Sequence, residues 1–228
     1  MENYKMKVLK AGYEIINKDK INGMDILKTI EKVGRTCYKS EDNITEDSAV
    51  KFVRNLINRG HEAMIEFANI TVKFTCDRGV SHEIVRHRVS SFAQESTRYC
   101  SYNKDKFDSS VSYIDINEGI KLDTKMKNMD EFNLSLIFNE WLLACKESEN
   151  HYLKMLELGA TPQIARSVLN NSTKTEINMS ANLREWRHFF KLRCDKAAHP
   201  QMREITIPLL LELNELIPVV FEDIVKEL

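Results

Sequence analysis

Two stretches of this chain alternate apolar and polar side chains with a period of two. Ile70, Val72, Phe74 and Cys76 alternate with Thr71, Lys73 and Thr75, and Thr173, Thr175, Ile177 and Met179 alternate with Lys174, Glu176 and Asn178. Such a period puts every second side chain on one face and predicts two half-buried strands. The intervening and flanking chain carries helical spacing instead. Asp25 to Tyr38 places Ile26, Leu27, Ile30, Val33 and Cys37 on one side. Val50, Phe52, Val53, Leu56 and Ile57 line another helix, with Thr45 as its N-cap, Glu46 and Asp47 in its first turn, and Gly60 as its left-handed terminator. Phe132 to Leu158 predicts a long helix buried along Leu136, Ile137, Trp141, Leu142, Cys145, Tyr152, Met155 and Leu156, closed by Gly159. Only 7 Gly and 4 Pro interrupt 228 residues, which favours long helices over a turn-rich all-β fold.

Shorter elements complete the reading. Met6 to Ile16 predicts an opening strand, and Asp77 caps a short helix running to Arg86. Thr161-Pro162 begins a helix carrying Arg166, since proline suits the first helical position. Asn182 to Lys196 predicts a helix, and Met202 to Leu228 a helical end segment bent at Pro208 and Pro218. Residues 103–131 are rich in lysine and aspartate and predict a variable loop or insertion. No repeat or linker divides the chain, so residues 1–228 read as one α+β domain.

Composition narrows the function classes. A net charge of −1 does not suit a protein built to coat nucleic acid or an anionic membrane. No apolar run approaches the roughly 18 residues of a membrane span. The five cysteines are scattered, without a C-x-x-C pair, which predicts reduced thiols in the cytoplasm and neither a disulfide frame nor a zinc site.

The chemistry concentrates in residues 86–100. Arg86, His87, Arg88, Ser90, Ser91, Gln94, Ser96, Thr97, Arg98 and Tyr99 crowd donors into one short run. Guanidinium forks bind phosphate in a bidentate, oriented way, and short hydroxyl side chains allow close approach of a ligand. A nucleotide monophosphate fits that set. A second arginine group is Arg166, Arg184, Arg187 and Arg193. Arg184 and His188 are four apart and share a helix face, and Asn182 opens that helix, where unpaired N–H groups attract phosphate. Ser96 lacks a G-x-S-x-G elbow, so a ligand contact suits it better than a nucleophile's role. His61, His82 and His87 lack metal-ligand spacing. There is no G-x-G-x-x-G and no Walker loop. These residues reach a binder of anionic nucleotides and leave open whether it is an enzyme. The competing reading is a single-stranded nucleic-acid-binding module using arginines and aromatics, opposed by the net charge and by the lack of a stacking ladder.

The run Arg86-His87-Arg88, seven residues, Ser96, one residue, Arg98 resembles the signature of flavin-dependent thymidylate synthases. Asn182-Leu183-Arg184-Glu185-Trp186-Arg187-His188-Phe189-Phe190-Lys191-Leu192-Arg193 resembles the same family's C-terminal block. Glu62 to Glu66 and the strand after it also fit. The likeness runs from about Asp25 to Arg203 and is weakest over residues 103–131. It implies reductive methylation of dUMP to dTMP, with methylenetetrahydrofolate as carbon donor, FAD as hydride carrier and NADPH as reductant, in a homotetramer whose sites are shared between subunits.

By that resemblance Arg86, His87 and Arg88 hold FAD, Gln94 lies near both flavin and nucleotide, and Arg86 also faces the nucleotide. Glu83 stands at a dUMP-contacting position that usually carries glutamine. Glu95, Ser96, Thr97 and Arg98 cradle the dUMP phosphate, and Arg166 reaches dUMP from another subunit. Asn182, Arg184 and His188 contact FAD, and His61 lies near flavin and folate. Arg193 favours ionisation of the uracil imide, so that no covalent cysteine is needed. Ala63, Ala93 and Ala197 depart from residues common in the family. The expected fold is a mostly antiparallel sheet packed by long helices.

Overall fold

The structure, a computed structural model, describes residues 6–16, 18–97 and 110–228. In chain order the strands are β1 Lys7–Leu9, β2 Gly12–Ile15, β3 Asn69–Asp77, β4 Ser90–Gln94, β5 Ser112–Ile114 and β6 Lys174–Asn182. The helices are α1 Gly23–Tyr38, α2 Ser48–Asn58, α3 Arg78–Ile84, α4 Asn117–Leu122, α5 Glu131–Glu157, α6 Pro162–Ala165, α7 Leu183–Arg193, α8 Pro200–Leu216 and α9 Glu222–Val225. The chain gathers into two compact units, each from three stretches: residues 1–12, 74–86 and 93–177 form the first, and 13–73, 87–92 and 178–228 the second. β3 and β6 each begin in one unit and end in the other.

The two alternating stretches are the long strands. Ile70, Val72, Phe74 and Cys76 are buried in β3; Thr175, Ile177, Met179 and Ala181 are buried in β6, and Thr173 just before it. β3 and β6 are neighbours in a four-stranded sheet of order β2-β3-β6-β4. Thr71 bonds Ser180 through their hydroxyls, and Arg78 N–H donates to Thr173 carbonyl. Residue numbers rise on one strand as they fall on the other, so the two run antiparallel. β1 and β5 form a separate parallel pair, with Val8 opposite Tyr113.

In the first unit Val111, Tyr113, Cys145, Tyr152, Leu153 and Ala165 form the core against α5. In the second, Trp186 stacks on Phe190 and meets Phe189 edge-on, while Phe221 closes on Phe190. Trp186 Nε1 donates to Ile70 carbonyl, tying α7 to β3 within that unit. α1 starts where Asn22 caps Met24 and Asp25, and its first residue is Gly23 for steric reasons: a Cβ there would stand 2.1 Å from Leu216 carbonyl oxygen. Gly23→Ala is expected to cost about 1–3 kcal/mol as α8 is pushed away; an unchanged denaturation midpoint would show that the contact gives way freely. Gly60 (φ +70°) and Gly159 (φ +92°) follow the ends of α2 and α5 in the left-handed region, as their sequence positions predict.

Several boundaries differ from the sequence reading. Met6–Ile16 is two strands, because the alternation fails at Lys10-Ala11 and β1 joins β5 while β2 joins the larger sheet. Thr45 does not cap α2. That helix begins at Ser48, whose hydroxyl bonds the buried Glu31 of α1 at 2.8 Å and accepts Thr45 N–H, so Glu46 and Asp47 lie outside it. α3 stops at Ile84, and Arg166 caps α6 at its C-terminus instead of riding on it. Leu136 on α5 is exposed, as are Phe132 and Leu143, so the buried stripe starts later than expected. α7 ends at Arg193, whose carbonyl is taken by the Thr206 hydroxyl of α8. Pro208 lies within α8, and Pro218 follows its end. Of the expected insertion, residues 103–109 lie outside the described residues, and the remainder contains β5 and α4. No helix among the described residues is long and apolar enough to cross a membrane.

Candidate functional site

The candidate residues fall into two groups, one in each unit. In the first unit β4 ends at Gln94, whose amide nitrogen donates to Ser81 Oγ at 2.9 Å and to Thr175 Oγ1 at 3.2 Å. Both amide hydrogens are used inside the protein, so Gln94 offers a ligand its carbonyl oxygen. Glu95 is fixed by its N–H on Glu176 carbonyl and by Lys174 Nζ at 3.1 Å. Glu176 and Glu95 outweigh burial and hold the Lys174 ammonium above its ordinary pKa. Thr97 is buried, and Arg166 Nη1 donates to its hydroxyl at 3.1 Å. The structure thus brings Arg166 to the 94–97 segment of its own chain. Ser96 is half-buried beside them, and Glu83 half-buried on α3. Arg86 is exposed. Arg98 lies outside the described residues.

In the second unit Arg88 is exposed and His87 is buried, 3% exposed, so the arginine-histidine-arginine run turns its histidine inward. His87 Nδ1 lies 3.1 Å from Glu185 Oε1, and Arg193 Nε donates to His87 Nε2 at 3.1 Å. Phe189 packs edge-on against the ring at 4.9 Å and His188 at 5.5 Å. Burial, reinforced by Arg193 and His188, lowers the His87 pKa from 6.5 to about 4. The contact to Glu185 is therefore a hydrogen bond from a neutral ring. Burial also raises the Glu185 carboxyl, which His188 partly offsets.

α7 sets this arrangement. Asn182 caps it by accepting Glu185 N–H at 2.9 Å, so its side chain serves the helix. Arg184 and His188, four apart, share the exposed face as predicted, and with Glu62, Glu66, Val89, Asn182, Glu185 and Lys191 they line a cavity of about 390 Å³. That lies within the range of small-molecule sites. Arg184 is about half exposed and pairs with Glu66 at 2.6 Å. His61 is exposed, its Nδ1 2.7 Å from Tyr38 hydroxyl.

Arg187 corrects the sequence reading. It was grouped with anion-binding arginines, yet it is 2% exposed and neutralised within the unit. It donates to Glu62 at 3.0 Å, to both Asp223 oxygens at 2.7 and 2.6 Å, and to Val220 carbonyl. Sequence reasoning also gave no role to Glu185 or to the cavity-lining Lys191. Burial pushes the thiols of Cys76, Cys145 and Cys194 up, Cys194 to about 11, so these cysteines stay protonated.

The fold is shared with solved structures. It superposes on the UMP/dUMP methylase PolB of Streptomyces cacaoi, solved with 5-Br dUMP, with a TM-score of 0.76 at 21% identity over 95% of each chain. The PolB structure bound with 5-Br UMP gives 0.75 at 18% identity, covering 97% of this chain and 96% of that one. The family described as Thymidylate synthase complementing protein matches residues 21–219. The flavin-dependent thymidylate synthase of Corynebacterium glutamicum is 34% identical over 199 residues, 85% of this chain and 78% of that protein. Its namesake from Pyrococcus abyssi is 30% identical over 186 residues, 80% of this chain and 70% of that one. The chain belongs to the family of flavin-dependent thymidylate synthases, and it is an enzyme.

Proposed function

We propose that this enzyme methylates dUMP to dTMP, taking the carbon from methylenetetrahydrofolate, with FAD as hydride carrier and NADPH as reductant. The observation that carries the reading is Arg193, anchored through Nε on a buried neutral histidine at the end of α7. A guanidinium held there stabilises the anionic form of the uracil imide and makes the ring carbon electron-rich without a covalent nucleophile. Buried, protonated thiols on Cys76, Cys145 and Cys194 agree with that route.

The cavity residues fit a flavin dinucleotide. Arg184 and Lys191 supply positive charge, Asn182, through the amide nitrogen that the cap leaves over, and His188 supply polar contacts, and exposed Val89 supplies an apolar wall. Arg184 would exchange Glu66 for a phosphate, which its exposure permits. Arg88 and His61 join this group, and Arg86 the nucleotide side as well. When bound, the flavin supplies the hydride chemistry that no side chain can. In the first unit Glu83, Gln94, Glu95, Ser96, Thr97 and Arg166 take the nucleotide, with Arg166 and Thr97 already in contact; by the resemblance Arg98 joins them. A homotetramer would cover the apolar side chains Phe132, Leu136 and Leu143 that α5 leaves exposed. Visible absorbance of the protein with FAD, and NADPH oxidation with and without dUMP, test the reading: a bound flavin and dUMP-stimulated oxidation are expected, and a protein that takes up no flavin overturns it.

A further inference from the structure

We propose that Glu185 and His87 are positioning residues for Arg193, forming a fixed chain from carboxyl to imidazole to guanidinium that sets the direction of the arginine fork. The contacts stand on geometry alone, while their bearing on turnover rests on the function proposed above.

Arg193 Nε carries a hydrogen and has nothing to accept with, so His87 Nε2, 3.1 Å away, must be the acceptor. A neutral imidazole whose Nε2 accepts carries its proton on Nδ1, and Nδ1 lies 3.1 Å from Glu185 Oε1. Only one tautomer satisfies both contacts. A protonated ring would point N–H at N–H and lose the arginine. Among the described residues the groups facing the ring are Glu185, His188, Phe189 and Arg193, and burial, reinforced by Arg193 and His188, keeps it neutral.

Two consequences follow for this site. Both ring nitrogens of a side chain 3% exposed are used inside the chain, so the His87 imidazole acts on protein residues and has no ring nitrogen left for the cofactor. That refines the role the resemblance gave it, and leaves Arg86 and Arg88 as the exposed members of the run. Further, Glu185 and Arg193 are eight residues apart on α7, about 12 Å of helix rise, too far to meet directly. His87, arriving from the segment after α3, is the part that joins them. Through this one rigid ring Glu185 bears on how Arg193 Nε, and with it the guanidinium plane, is held.

The test uses full-length protein labelled with ¹⁵N-histidine, with His87→Gln to assign the resonances. His87 is expected as the Nδ1–H tautomer and neutral from about pH 5.5 to about pH 8. An Nε2–H tautomer, or titration near the ordinary 6.5, overturns the proposal. In turnover with FAD, Glu185→Ala should lower kcat roughly tenfold to a hundredfold while the dUMP KM moves less than about threefold. Glu185→Gln, whose carbonyl still accepts Nδ1–H, should recover most of that loss. Wild-type kcat in Glu185→Ala, or a Gln variant as slow as the Ala variant, also overturns it. If the wild-type protein does not turn dUMP over, the functional reading falls, and the tautomer alone decides whether the contact chain exists.

Discussion

Arg187→Ala is expected to destabilise the fold by about 3–5 kcal/mol, because the substitution removes one partner of a buried charge network. The side chain is 2% exposed and fills the space between α7, the 3-10 turn Glu62–Phe67 and α9. Without it Val220 carbonyl loses a charged donor, and Glu62 and Asp223 lose the guanidinium that both accept from. Asp223→Asn should cost less, since Asp223 is about two-fifths exposed and Glu62 still neutralises the guanidinium. The pair also has a pH signature. Burial alone would raise the Asp223 carboxyl, but the hydrogen bonds and charge of Arg187 hold it below its ordinary 3.8. A depressed carboxyl contributes stability that is complete above the unfolded pKa and lost as pH falls through the folded one. Denaturant unfolding at neutral pH checks the first effect. A cost under about 1 kcal/mol for Arg187→Ala would mean the network adds nothing beyond packing.

Arg193→Ala should leave the fold standing and remove most of the turnover. Loss of a preorganised group aimed at developing charge costs roughly 3 kcal/mol of barrier, about a hundredfold in rate. Arg193 is half-buried at the end of α7, and the aromatic core of Trp186, Phe189 and Phe190 does not depend on it. Melting temperature should therefore move little while kcat falls. Arg193→Lys keeps the charge but loses the planar fork and its Nε donor to His87, so it should recover only a small part. Single-turnover kinetics at saturating dUMP separate this from weakened binding; a normal rate in Arg193→Ala would end its role in activating the uracil.

Local pattern carried the elements, and only long-range contacts could supply the rest. β3, β6, α1 and α5 were legible because a period of two or of 3.6 is a property of neighbouring residues. The opening strand failed because a strand's sheet partner is not written in its own sequence. Leu136 read as buried because helical spacing marks a face without saying what lies against it. The arginines show the limit most clearly. Arg187 sits on the same helix as Arg184, yet its partners are 125 and 36 residues away, and only their approach makes it structural. His87 likewise meets Glu185 and Arg193 at separations of 98 and 106 residues, so neither contact leaves a local trace. The motif resemblance named His87 and Arg193 separately; the fold supplied the carboxyl that connects them.

Product formation tests the proposed synthesis of dTMP by a flavin route. Purified protein is supplied with FAD, NADPH, methylenetetrahydrofolate and dUMP, and dTMP is quantified against NADPH consumed. The expected result is dTMP formation that requires both FAD and dUMP and that Arg193→Ala abolishes almost entirely. Flavin-loaded protein that oxidises NADPH yet yields no dTMP would contradict it.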